Sequence, residues 1–381
     1  MSIREELILK VLAKEDTVVD LAEEYGVARK TIYKWLKRYE KRGLTGLVDD
    51  SRRPNSSPMK TSAELALEIV QLKKKHMRWG PKKICTVMAK AHPDGDMPSI
   101  VTIQRVLRGV GLMKRSRRRE SGGLAPTPTF QVPTAPNELW TVDFKGWWRT
   151  KDGAKCEPLT VRDAFSRFVL AVRLMTRTRT EDVRPVFEEL FARYGLPKSI
   201  QSDNGPPFAT MQGLGGLTRL SAWWVSIGIH VVRSRPGRPT DNGGHERMHS
   251  DMRFDLQDAS ADTLGLQQRA CDDWVTTFNH VRPHEGIGQQ MPGELYRASE
   301  RRPGRVVVGG YPDGCRLMDV GQSGSINCDG WKVYLSHALG GYAVGLQSSE
   351  RGYRVWFFHV LLGTFIPGTH ETLQPAVANE T

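Results

Sequence analysis

Cysteine is scarce. Five residues (Cys85, Cys156, Cys271, Cys315 and Cys328) are scattered through 381, odd in number and never spaced as C-x-x-C. That argues against a disulfide framework and against a cysteine-type zinc finger, and it predicts a reducing, cytoplasmic setting. Long apolar runs are also missing: nothing approaches the ~20 residues of a spanning helix, so no membrane is expected as a partner. The opening stretch MSIREELILKVLAKED is charged throughout and lacks the apolar segment of a secretion signal. With 39% hydrophobic and 25% charged residues, the chain reads as a multidomain globular protein.

What is present is positive charge, unevenly placed. Residues 1–120 hold 27 Lys and Arg against 15 Asp and Glu, and residues 121–381 hold 28 against 27. Nearly all of the +13 excess therefore lies in the first third. Scattered cations would only aid solubility, whereas a confined excess points to a polyanion, commonly nucleic acid.

The segment DTVVDLAEEYGVARKTIYKWLKRYE predicts two helices around a tight turn at Gly26, in an all-α domain over 1–50. Val19, Ala22 and Tyr25 are spaced for one buried face, and Val27, Ile32, Trp35 and Leu36 for another. The second helix would present Arg29, Lys30, Tyr33 and Lys34 to a major groove, although an ordinary helical hairpin with a solvated basic face fits the same pattern. Residues 60–115 predict a second helix-turn-helix or winged-helix-like unit, with Ser99 as an N-cap and Gln104 and Arg105 on its polar side. The basic run KRSRRR, with Lys114, Arg115, Arg117, Arg118 and Arg119, leads into a basic linker over 116–135 and suits phosphate contacts without sequence preference.

From Pro136 to about residue 300 the pattern turns α/β. LWTVDF alternates Trp140, Val142 and Phe144 with Thr141 and Asp143, as a strand does. TKDGAK reads as a hairpin turn, and EPLTVRDAF and RFVLAVRLM complete a three-strand meander. A helix from Thr180, taken as its N-cap, to Gly195 follows, then the strand of KSIQSDNG, a helix around SAWWVS, the strand IHVVR, and helices over 243–258 and 262–281. Short apolar strands split by Gly-rich turns over 303–370 predict a small C-terminal β-barrel.

Three carboxylates stand out. Asp143 interrupts an apolar strand, where burial is costly without a partner. Asp203, followed by Asn204 and Gly205, lies where a strand ends, and ligands bind at strand ends in open α/β sheets. Glu246 lies on the helix after RPTDNGG. If the two strands are neighbours and the helix crosses them, the three acids meet. Hard oxygen ligands of that kind suit Mg²⁺ or Mn²⁺, and two ions about 4 Å apart serve phosphoryl transfer.

These stretches resemble the DDE transposases of bacterial insertion sequences, which share an RNase H-like catalytic core with retroviral integrases. LWTVDF is similar to the first-Asp strand and SDNGPPF to the second-Asp motif. GRPTDNGGHERMHSDMR is similar to the Glu motif, with Asp241 and Asn242 ahead of Glu246 and Arg253 seven residues on, which regular helix would place on the same face. FNHVRPHEGIGQQMP resembles the segment after the core, here Asn279, Arg282, Pro283 and His284. The likeness runs over roughly residues 16–300 and is loose at the C-terminus. Forty-two residues separate Asp203 and Glu246, more than the family's namesake spacing, and the surplus falls in the Gly-rich ATMQGLGGLTRL.

The resemblance implies an enzyme that cleaves the ends of a mobile element and joins them to target DNA. Asp143, Asp203 and Glu246 would be its catalytic metal ligands for two ions, and a homo-oligomer would hold the two double-stranded ends. Asn204 and His249 would stand near the metals, and a plain surface role suits His249 as well. Two other readings remain. One is a DNA-binding regulator with an inactive core. The other is a zinc metalloprotease, since His245, Glu246 and His249 spell H-E-x-x-H. That reading needs a third protein ligand, and Asp255 lies at a spacing where some such enzymes place one, but Met252 occupies the position where they need a turn-forming Gly. Asp163 reads as structural, at a strand-to-turn boundary.

Overall fold

The computed structural model describes residues 2–50, 61–95, 97–113, 132–210, 214–235, 243–304, 310–367 and 373–375. The chain divides into two compact units, 1–62 and 63–381. Among the described residues no helix is long and apolar enough to cross a membrane.

The first unit holds α1 (Ile3–Ala13), α2 (Val18–Glu24) and α3 (Arg29–Arg42). Gly26 makes the α2–α3 turn at φ +61°, a left-handed conformation that suits glycine. Leu7, Ile8, Leu21, Ala22, Ile32 and Leu47 form its core. Val19, expected inside, is 45% exposed. Leu21 takes the buried position beside Ala22, because α2 is short and meets α1 and α3 along one narrow stripe. Arg29, Lys30, Tyr33 and Lys34 all face solvent on α3.

The second unit opens with α4 (Ala63–Lys75), α5 (Pro81–Ala91) and α6 (Ile100–Gly109), packed around Ile69, Trp79, Ile84, Met88, Ile103 and Leu107. Ser99 caps α6 as expected, accepting from the Thr102 N–H at 3.2 Å. Arg105 is exposed and Gln104 half-buried. Arg115, Arg117 and Arg118 lie outside the described residues.

A six-stranded mixed sheet follows: β1 (Leu139–Phe144), β2 (Trp148–Arg149), β3 (Lys155–Asp163), β4 (Val169–Met175), β5 (Ser199–Ser202) and β6 (His230–Arg233). β3 pairs antiparallel with β1, β2 and β4, while β1–β5 and β5–β6 are parallel. Register sorts the side chains into two faces. Trp140 and Val142, with Leu159 and Val161, pack against α7 (Thr180–Tyr194) and α8 (Arg219–Ser226) through Phe187, Phe191, Leu220 and Trp224. The opposite face carries Thr141 opposite Arg162 and Asp143 opposite Thr160, with Gln201 level with Thr141 on β5. Over this polar face lie α9 (Gly243–Met252), a π-helical turn (Arg253–Gln257) and α10 (Leu264–His280). Met248, Met252 and Leu256 pack there with Val169, Val172 and Cys271.

Two expectations are corrected. Thr180 is not the cap of α7 but its first residue. Arg179 flanks it with no side-chain cap bond, and Glu181 and Asp182 in the first turn answer the helix dipole instead. The C-terminal strands do not close into a barrel. β7 (Cys315–Asp319), β10 (Ala343–Ser349), β11 (Gly352–Phe357), β12 (Val360–Phe365) and β13 (Gln374–Pro375) form an open antiparallel sheet in the order 13-12-11-10-7. β8 (Ser325–Cys328) and β9 (Trp331–Tyr334) form a separate hairpin. The sheet buries its apolar face against that hairpin and against Ala222 and Val225 of α8, so closure is not needed to hide it.

Candidate active site

The order of the strands brings the first two acids together. β1 and β5 are parallel neighbours, joined from Leu139–Ser199 to Thr141–Gln201. Asp143 lies two residues past Thr141, and Asp203 two residues past Gln201, where β5 ends. Both therefore stand at the carboxyl end of adjacent strands, in line with the polar face. Asp203 is exposed as a residue, yet nearby protein raises the pKa of its carboxyl by desolvation, against the effect of the Gly205 N–H at 3.3 Å. Asn204 is turned toward β6. Its amide donates to the Ser234 carbonyl at 3.0 Å and ties the ends of β5 and β6 together.

The helix α9 crosses this face. Thr160 Oγ1 lies 2.9 Å from the Asp143 carbonyl and 2.9 Å from His249 Nε2. The hydroxyl has one proton, given to the carbonyl, so His249 Nε2 is the donor to Thr160. The other ring nitrogen, Nδ1, then faces Asp143 Oδ2 at 4.0 Å. Burial, with Lys145 and Arg162 nearby, pushes the His249 pKa down to about 4. His249 is thus no plain surface histidine: its side chain is 14% exposed and locks α9 to β1 and β3.

Glu246 lies one turn before His249 and is exposed. Among the described residues, no three His, Cys, Asp or Glu side chains are gathered as a metal-binding group. Asp143 and Asp203 stand at neighbouring strand ends and Glu246 on the helix that crosses the sheet, and all three offer oxygen donors of the kind a hard divalent cation takes.

The H-E-x-x-H stretch is not arranged for zinc. His245 is 1% exposed and buried beside Arg162, while His249 is committed to Thr160. Arg253 directly follows α9 and opens the π turn, where Asp258 N donates to Arg253 O at 2.9 Å and Trp274 Nε1 donates to Asp255 at 3.0 Å. The widened turn lies beyond Arg253, so the seven residues from Glu246 to Arg253 run through regular helix. Arg253 is exposed and near Lys145, whose pKa falls through burial and then that neighbouring charge. Lys145 also donates to Gln257 at 2.7 Å. Asp163 is structural: it is fully buried and accepts from Asn137 N (2.8 Å), Ser166 N (2.7 Å) and Ser166 Oγ (2.6 Å).

Arg162 escaped the sequence reading. It is 8% exposed in the middle of the sheet, and burial lowers its pKa to about 10. Its guanidinium lies against the first turn of α9: a Cβ on Gly244 would fall 2.6 Å from Nη1. Gly244→Ala is therefore expected to shift the buried Arg162 guanidinium and, with it, the turn that leads into Glu246. DNA nicking should drop about a hundredfold, a cost typical of an ångström-scale misplacement, with the melting of the first unit unchanged.

The Asn279–His284 segment braces the same region. Asn279 Oδ1 accepts from Val169 N at 2.8 Å and its Nδ2 donates to Val169 O at 2.8 Å. His284 packs edge-on to Phe278. Burial, then Arg282 and Lys83, push its pKa down to about 3. A histidine with a folded-state pKa below its unfolded value of 6.5 takes up its proton more readily unfolded. Its stabilising share is present above about pH 6.5 and lost as pH falls toward 3, at about 1.4 kcal/mol for each unit of depression. The urea midpoint should fall between about pH 7.5 and pH 5, less steeply in His284→Asn.

Comparison with known proteins accords with this geometry. An integrase core domain model matches residues 133–239 and a second matches 227–292. A helix-turn-helix domain matches 3–55 and a homeodomain-like domain 31–107. The insertion element IS407 31.7 kDa protein of Burkholderia multivorans is 24% identical over 264 residues, 68% of this chain and 91% of that protein. The insertion element IS476 39.2 kDa protein of Xanthomonas euvesicatoria is 23% identical over 253 residues, 66% of this chain and 70% of that protein. The chain is a transposase with an integrase core domain.

The transposase acts in DNA integration, with an integrase core behind helix-turn-helix DNA-binding domains. Its family carries out polynucleotidyl transfer with divalent metal ions. The Gag-Pol polyprotein of gibbon ape leukemia virus is 32% identical to the transposase over 141 residues, 37% of this chain and 8% of the polyprotein.

Proposed function

We propose that this transposase cuts a phosphodiester at each end of its mobile element and then joins the freed 3′-OH to target DNA. Asp143, Asp203 and Glu246 are the metal ligands. The observation that carries this reading is the parallel pairing of β1 with β5, which sets Asp143 and Asp203 at adjacent strand ends beneath the helix of Glu246. Two Mg²⁺ or Mn²⁺ ions there would supply positive charge to the attacking and leaving oxygens of an in-line displacement.

The protein's own groups do the rest. His249, donating from Nε2 to Thr160, whose hydroxyl is bonded to the Asp143 carbonyl, holds α9 to the β1–β3 pair. Lys145 and Arg253 bring cations to the rim, where the DNA phosphates pass. No side-chain nucleophile is required, because water and then a DNA hydroxyl attack phosphorus. Domains 1–50 and 60–115 bind the element ends through Arg29, Lys30, Tyr33, Lys34, Gln104 and Arg105, helped by Arg115, Arg117 and Arg118 of the basic linker. Two ends must be held at once, so the working form is a homo-oligomer on DNA in the cytoplasm.

Supercoiled plasmid incubated with the full chain and Mg²⁺ should become nicked. EDTA, or Asp203→Asn, should leave it intact. Undiminished nicking by Asp203→Asn overturns the assignment. Plasmid that stays intact with the unaltered protein and Mg²⁺ favours the inactive regulator.

A further inference from the structure

The helix that bears Glu246 is held at its far end by residues with no part in the chemistry above. Asp251, five residues after Glu246, has a side chain only 6% exposed. Its Oδ1 lies 3.3 Å from Arg78 Nη1, and its Oδ2 ion-pairs with Arg282, whose side chain is 11% exposed. Arg78 Nη1 also donates to the Ser250 carbonyl at 2.8 Å, and its guanidinium lies 4.1 Å from the ring centre of Phe254.

The two arginines come from different places. Arg282 follows α10 and belongs to the catalytic core. Arg78 lies in the turn between α4 and α5, in the helical unit that also carries Gln104 and Arg105. The buried Asp251 carboxylate is shared between the two arginines, so a shift of either is felt at α9. α9 is ten residues long and continuously hydrogen-bonded. A displacement of the α4–α5 turn is therefore delivered along a stiff rod to Glu246, with His249 and Thr160 as the pivot on the sheet.

We propose that Arg78 is a positioning residue that couples DNA engagement by the second helical unit to the placement of Glu246, through Asp251 and Arg282. The inference rests on the reading of Glu246 as a metal ligand. It differs from that reading because Arg78 touches neither metal nor scissile phosphate.

Hydrogen–deuterium exchange on the full chain, with and without a duplex DNA oligonucleotide, tests the coupling. DNA should slow exchange in α9 about threefold in the unaltered protein. In Arg78→Met the slowing in α9 should vanish while that in α4–α6 persists, and Mg²⁺-dependent plasmid nicking should drop about tenfold. Arg78→Lys keeps a donor and should restore part of both. If α9 in Arg78→Met still slows as in the unaltered protein, the coupling is overturned. Should that variant fail to fold, Arg78→Gln, which also lacks the charge, carries the test, and full slowing in it is equally contrary. Glu246→Gln separates the two claims. Loss of nicking in Glu246→Gln with an unchanged exchange response in Arg78→Met sinks the coupling alone. Full nicking in Glu246→Gln sinks the metal-ligand reading and the coupling with it.

Discussion

Asp143→Asn should nick plasmid DNA at least about a thousandfold more slowly than the unaltered transposase. Its affinity for duplex DNA should stay within about twofold, because the proposed phosphate and groove contacts are made by residues other than Asp143. The substitution is nearly isosteric, so packing is kept and only the negative charge is lost. The backbone carbonyl of Asp143 still accepts from Thr160, so β1 and β3 remain joined at this point. Phosphodiester cleavage in gel assays and binding by fluorescence anisotropy would be followed on the same preparation. Strand transfer at the normal rate by Asp143→Asn would contradict the catalytic assignment.

Asn279→Ala should be the most damaging of the structural changes. Asn279 is 2% exposed, and its amide satisfies both backbone groups of Val169 at the first residue of β4. Truncation strands a buried N–H and a buried C=O, at about 1–3 kcal/mol each. The loss also frees α10 from the sheet on which α9 is packed. Urea denaturation followed by tryptophan fluorescence should show the lowered midpoint, and an unchanged midpoint would mean that water or a neighbour replaces the amide.

Much of this was legible in the residues. Alternation in LWTVDF placed Trp140 and Val142 inside and Asp143 on the other face, because a strand allows two sides only. Gly26 marked the turn of the helix-turn-helix, since its backbone angle suits glycine. A polar run after KSIQS marked the strand end at Asp203.

What escaped depended on partners far away in sequence. Arg162 looks like an exposed strand residue until α9 is laid over it. Asp251 looks like a surface acid on a polar helix, yet Arg78, 173 positions earlier, and Arg282 bury it. The π turn at Arg253 has no local pattern, and Trp274 bonded to Asp255 helps to hold it. The barrel expectation recognised short apolar strands in this region but could not foresee that α8 and a hairpin would cover the open sheet.

The central claim is that three acids from β1, the end of β5 and α9 share metal ions. Mn²⁺ binding to the full chain, followed by electron paramagnetic resonance in the presence of duplex DNA, tests it most directly. The account predicts about two ions per chain, with fewer bound in each of Asp143→Asn, Asp203→Asn and Glu246→Gln. Full Mn²⁺ occupancy in any one of these three variants would contradict it.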